Sequence, residues 1–281
     1  MNEKNYDYLK NQVKFLGFGD TLEKDLGEKI KLQPANFTLE HQTKFGEDRV
    51  DSVLTFQKSK ESEMYFFNSF DMAINAAGKD DTLRQTYYVG KENNLTLKER
   101  YNMLEGRAVF KEFNKLEQVG EGNNMKFKAT DETYQAWTQL NFKQTDENGN
   151  FLQRKLFGFD LEKILAKYPI KELEDNYDKN RLIASLEKGN RQTATLTAGG
   201  IEQKISIEAN PLDKGLKFYD SNMQRLEVKQ NDTQKQQQGQ NIAQGETGAV
   251  QKEDQKQSQK HDLQDENKQT GQRKRSQQKI S

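Results

Sequence analysis

Cysteine is absent from this 281-residue chain, which excludes disulfides, thiolate nucleophiles and cysteine-based zinc sites. Histidine is nearly so: His41 and His261 are the only two, and neither completes a multi-histidine metal site or a Ser-His-Asp arrangement. No run approaches the roughly 18 apolar residues of a membrane span, and the opening MNEKNYDYLKNQVKF lacks the continuous apolar stretch of a signal peptide. A soluble, cytoplasmic protein without a membrane partner is the expectation. An excess of either charge is missing too, with 44 Lys and Arg against 44 Asp and Glu.

Composition divides what remains. From Lys229 to Ser281 there is no Phe, Tyr or Trp, and stretches such as KQNDTQKQQQGQ have too little apolar surface to offset the entropy of ordering. This tail reads as a disordered Gln/Lys-rich segment. It holds ten basic against seven acidic residues, leaving 34 against 37 in the body, so neither part is the strongly basic object that phosphate-driven binding requires. The local exception is Arg273, Lys274 and Arg275, a solubilising terminus or a nucleic-acid contact.

Periodicity organises the body. Tyr6, Leu9, Val13 and Leu16 share one helical face, which Gly17 ends; Asp20 and Glu23 have capping-box spacing for a second helix stopped by Pro34. The period then becomes two. Phe37, Leu39, His41, Thr43 and Phe45 alternate with polar residues, Gly46-Glu47-Asp48 turns, and Val50 to Phe56 and Met64 to Phe67 follow, so residues 37–68 form an antiparallel meander. After the looser NAAGKDDTLRQ comes a short strand, Gln85 to Val89.

Thr96 and Glu99 form a capping box for a helix that Gly106 ends, and Arg107-Ala108-Val109-Phe110 starts the next strand. Tyr134, Ala136, Leu140 and Phe142 line one strand face, with Trp137 on the other as a second packing surface or an exposed contact. Asp146-Glu147-Asn148-Gly149 returns the chain through Phe151 to Phe157 in a hairpin of the primed-turn kind. Asp160 caps a helix carrying Leu161, Ile164, Leu165 and Tyr168. Another bears Leu182, Ile183 and Leu186 and ends at Gly189, and a second meander runs from Thr193 through the alternating Ile201, Gln203, Ile205 and Ile207 to Tyr219.

The fold class is therefore α+β: helices packed on antiparallel β meanders, in two similar halves or by recurrent construction, with a disordered tail. Residues 1–95 form a helix-plus-meander unit, 96–228 a second α+β unit, and 229–281 the tail. LGFGDTLEKDL (16–26) is similar to FGFDLEKIL (157–165), and MYFFNSFDM (64–72) to LKFYDSNM (216–223).

Chemical motifs fare less well. Gly17-x-Gly19 has Leu22 where a dinucleotide loop needs glycine, and Gly78-Lys79 lacks the remaining P-loop residues. Ser185-x-x-Lys188 lies in a helix without the partners of a serine β-lactamase. Asp146, Asn148 and Asn150 imitate calcium ligands, but Phe151 stands where the loop needs glycine. No cofactor is expected. Arg107 and Arg191 remain: each follows a glycine at a helix-to-strand junction, where a guanidinium can hold an anion or bond the helix end or a carboxylate. The structural role is favoured. Tyr65, Tyr87, Tyr88, Trp137 and Tyr219 could stack bases only if exposed.

Several phrases, YNMLEGRAVFKEF (101–113), AWTQLNFKQTDENGNF (136–151), KYPIKEL (167–173), LEKGNRQ (186–192) and EANPLDKGLKFYDSNMQRL (208–226), carry a resemblance. Across most of residues 1–228 the chain resembles an uncharacterised domain family in proteins of conjugative transposons from anaerobic Gram-negative bacteria. The resemblance implies a cytoplasmic accessory protein of a mobile genetic element and transfers no catalytic residue. A non-enzymatic binding protein acting through protein or DNA contacts is the leading expectation. An enzyme with a dispersed polar site, or a secreted cargo addressed by its tail, are the alternatives.

Overall fold

Asn2 caps the first helix, α1 (Glu3–Val13), by accepting the Asn5 N–H at 3.1 Å. The computed structural model describes residues 2–75, 82–90, 95–120, 125–198 and 200–230; the tail, including Arg273, Lys274 and Arg275, lies outside them. A wide turn over Lys14–Phe18 leads to α2 (Glu23–Leu32). The expected Asp20 capping box does not form. Leu22 occupies the cap position without a side-chain bond, and the Asp20 carboxylate instead meets Lys14 Nζ at 3.0 Å.

Four strands follow, β1 (Asn36–Phe45), β2 (Asp48–Lys58), β3 (Tyr65–Asn75) and β4 (Thr82–Tyr88), hydrogen-bonded in that order as an antiparallel meander. β3 runs well past the four residues expected of it, because Phe70, Met72 and Ile74 continue its buried face. Leu9, Val13, Leu26 and Ile30 of the helices pack on Leu39, Leu54, Phe56 and Phe70. Phe56 lies between Phe37 and Phe67, with ring centroids 4.9 and 4.8 Å away.

The capping box of Thr96 and Glu99 is present, with bonds in both directions, and starts α3 (Leu97–Leu104). This helix buries Leu97, Tyr101, Met103 and Leu104 in the first core. A boundary between residues 95 and 96 thus falls inside that core, and the body is one compact unit rather than two.

Next comes a three-stranded sheet, β5 (Val109–Val119), β6 (Lys126–Thr145) and β7 (Phe151–Leu156), in the order β5-β6-β7. The turn between β6 and β7 differs from the primed form. Asp146 Oδ1 accepts the N–H groups of Asn148 and Asn150, and Gly149 alone of the turn residues has a positive φ, 82°. The side-chain-braced turn followed by a left-handed glycine makes a bulged hairpin. Asp146 accordingly sits below the usual carboxylate range, chiefly through the Asn150 N–H.

The last part holds α4 (Leu161–Leu165), capped by Asp160, and α5 (Asn176–Glu187), capped by Asp175. A second four-stranded antiparallel meander closes the body: β8 (Gln192–Ala198), β9 (Ile201–Asn210), β10 (Gly215–Tyr219) and β11 (Arg225–Leu226). Only the second half of β9's alternation faces the core: Ile205 and Ile207 are buried, while Ile201 is 73% exposed. The two related segment pairs occupy matching places. Phe18, Leu22 and Leu26 are buried before the first meander as Phe159, Leu161 and Leu165 are before the second, and β3 and β10 are third strands of their sheets.

The three-stranded sheet is a wall with a core on each side. Val109 and Leu140 belong to the first core, whereas Trp137, with Phe110 and Leu156, belongs to the second. Alternation along the strands explains this division, since neighbouring residues point to opposite faces.

Candidate functional site

The two glycine-arginine junctions, far apart in sequence, are packed against each other. Each helix ends in the same way. The Gly106 and Arg107 N–H groups bond the Met103 and Asn102 carbonyls, and the Gly189 and Asn190 N–H groups bond those of Leu186 and Ser185. Both are paired closures around a left-handed glycine. Asn102 joins them: its Nδ2 donates to the Lys188 carbonyl at 2.7 Å and to Asn190 Oδ1 at 2.9 Å, while its Oδ1 accepts from Arg107 Nη2 at 2.7 Å.

Both arginines converge on Glu208 of β9. Arg191 Nε donates to Glu208 Oε1 at 2.7 Å, Arg107 Nη1 stands 3.9 Å from the same oxygen, and Tyr219 Oη donates to Oε2 at 3.1 Å. Glu208 and Arg107 are 3% and 7% exposed, so this is a buried ion cluster rather than an open anion cradle. Proximity of Glu208 and loss of hydration both raise the Tyr219 phenol, hydration being the larger cause. The guanidinium planes also lie over rings, Arg191 over Tyr219 at 4.9 Å and Arg107 over Tyr101 at 5.4 Å. A desolvated charge cluster of this kind is stable only while every partner remains.

The remaining sequence candidates are placed as follows. Trp137, 2% exposed, packs against Phe110 and Phe159 in the second core, so of its two readings the second packing surface holds and the exposed contact does not. Tyr65 and Tyr87 are core residues, and Tyr88 is 62% exposed. Ser185 donates to Gln192 Oε1 at 2.8 Å and accepts from Asn190, so its hydroxyl braces the helix end. His41 lies half-buried with its ring edge-on to Phe18 at 5.2 Å; loss of hydration lowers its pKa against an opposing backbone bond with Phe18.

Comparison with family models, curated proteins and solved structures finds no match.

One exposed feature escaped the sequence reading. Beyond a register shift between Asn114 and Leu116, β5 and β6 continue as a two-stranded ribbon in which Leu116 opposes Ala129, Glu117 opposes Lys128, Gln118 opposes Phe127 and Val119 opposes Lys126. Residues opposite one another share a face. One face therefore carries Leu116, Gln118, Phe127 and Ala129, all uncharged, and the other carries Glu117, Val119, Lys126 and Lys128. Leu116 is 64% and Phe127 71% exposed. The signal was present as 20 residues of unbroken strand polarity from Lys126 to Thr145, but alternation without a buried face does not announce itself as a strand.

Proposed function

We propose that this chain is a non-enzymatic, cytoplasmic binding module that docks a protein partner on the uncharged face of the β5–β6 ribbon. The setting is the maintenance or transfer of a mobile genetic element. The observation that carries the reading is the two-faced ribbon: Leu116 and Phe127 stand exposed on a face without charge. Large apolar residues in such a position are unfavourable alone and favourable against a partner. Over 111–119 and 126–134 four lysines are balanced by four acids, so the ribbon lacks the positive excess that a phosphate backbone attracts. The pairing of both arginines with Glu208 supports the same choice, because it buries Arg107 and engages the more exposed Arg191 with an internal carboxylate.

The test is affinity capture from the native host with the full chain, with and without nuclease, against the Leu116→Ser/Phe127→Ser double variant. A partner retained after nuclease and lost with the double variant is expected. Capture that nuclease abolishes, or that the double variant leaves unchanged, overturns ribbon docking; the first outcome points to the basic residues Arg273, Lys274 and Arg275.

A further inference from the structure

The outer strands of the two four-stranded sheets are finished differently. β4 borders the first sheet on one side, and its outward Thr86 N–H is taken by Asn150 Oδ1 at 2.9 Å. β8 borders the last sheet; there Glu172 accepts the Thr195 N–H at 2.8 Å, and the Pro169 carbonyl accepts that of Thr197, also at 2.8 Å. Such bonds occupy peptide groups that would otherwise recruit another strand. β1, the opposite border of the first sheet, has no such cover among the described residues.

The Lys58 N–H bonds the Ala35 carbonyl, and the register with β2 then runs unbroken from Asn36 to Phe45. Hydrogen-bonded pairs alternate along an antiparallel ladder, so the odd-numbered residues of β1 turn their peptide groups to β2. Thr38, Glu40, Gln42 and Lys44 turn theirs outward, and all four side chains are exposed. No proline or bulge interrupts this edge.

The charges along it are unmatched as well. Lys44 stands opposite Arg49 of β2, a like-charge pair, and Glu40 stands opposite Val53. Arg49 is engaged with Asp51 at 3.1 Å. Glu40 and Lys44 cannot reach each other, because four residues of strand span about 13 Å, and among the described residues neither has an ion pair.

We infer that β1 pairs with β1 of a second copy of this chain, antiparallel, about a twofold axis at Gln42. Core-facing residues must meet core-facing residues across the junction, so the axis passes through a residue and not between two. An axis at Glu40 sets that carboxylate against its own copy, and an axis at His41 sets Glu40 against the partner's Gln42. An axis at Gln42 sets Glu40 opposite the partner's Lys44, and by symmetry does so twice. Opposite charges directly across a ladder are stabilising. The outward peptide groups of Glu40, Gln42 and Lys44 find their matches in this register, and on the core side Leu39 meets the partner's Phe45. The two meanders become one eight-stranded antiparallel sheet with a self-complementary contact.

The test is sedimentation equilibrium of the full chain over a concentration series. The mass is expected to rise from 32.6 kDa towards twice that value. Glu40→Lys and Lys44→Glu each turn two attractive pairs into two repulsive ones, and each should weaken self-association at least about tenfold. Mixed in equal amounts, the two single variants present opposite charges at both pairs and should associate with each other as the wild type does with itself, a recovery that loss of folding could not produce. Gln42→Pro deletes an outward N–H and no bond to β2, and should be monomeric with its cooperative melt retained. A mass that stays at 32.6 kDa up to about 1 mM, a dimer indifferent to both charge variants, or single variants that fail to associate on mixing each overturns the inference. So does a dimer lost in Leu116→Ser/Phe127→Ser, which lies on the β5–β6 ribbon; partner capture there is measured separately and stands or falls by itself.

Discussion

Gly189 lies against the carbonyl of Ala108: a Cβ at Gly189 would stand 2.8 Å from that oxygen and 3.1 Å from Cβ of Asn102. The end of α5 is thereby seated on the strand that leaves α3. Replacing Gly189 with alanine adds this collision to the strain of a non-glycine residue at φ 74°. The expected cost is about 2–4 kcal/mol from left-handed strain and overpacking together, read as a lower urea midpoint at an unchanged slope. Alanine at Gly149, which has nothing within 4 Å of a Cβ, should cost only about 1 kcal/mol.

Glu208→Gln should destabilise the fold by about 3 kcal/mol, because it leaves the buried Arg107 guanidinium without its counter-charge. Combining it with Arg107→Met should restore a large part of the loss, since the buried guanidinium is removed and the remaining cation, Arg191, is 37% exposed to water. Equilibrium denaturation of the two variants measures this directly, and equal stability of wild type and Glu208→Gln would show that the cluster holds nothing together.

Acid should weaken the first core through His41. Its pKa is lowered in the folded chain by loss of hydration, so below the ordinary value of 6.5 the unfolded chain binds the proton more readily. The stability contributed by the neutral ring is complete above pH 6.5 and is lost as pH falls through the folded value. Thermal melts from pH 7.5 to 5 should show a smaller decline for His41→Gln than for the native chain.

Trp137 is the single tryptophan of the sequence and is 2% exposed, so its fluorescence reports on the wall between the cores. Emission should be blue-shifted in the folded protein and move red in the same transition that removes the far-UV dichroism. Trp137→Ala should cost about 3–5 kcal/mol by leaving a cavity against Phe110 and Phe159.

Most of the fold was legible because local signals agreed with it. The Thr96–Glu99 capping box, the stops at Gly106 and Gly189, and the alternation from Phe37 to Phe45 all correspond to observed features. Where local chemistry had two outlets, the sequence could not choose between them: Asp20 pairs with Lys14 instead of capping α2, and Asp146 braces a bulged turn where Asn-Gly suggested a primed one. The candidate site was half legible. Arg107 and Arg191 were recognised as occupants of similar junctions, but their meeting at Glu208 depends on how α5 docks on β5, a tertiary relationship with no local signature.

The shared wall also governs the order in which the molecule completes itself during synthesis. Residues through Leu104 supply most of the first core, yet Val109 and Leu140 must still be added to close it. The Trp137 face is made at the same time, well before Ile207 and Phe218, which help cover it. The nascent chain therefore bares the Trp137 face before the strands that cover it are made, an interval in which exposed apolar surface favours aggregation.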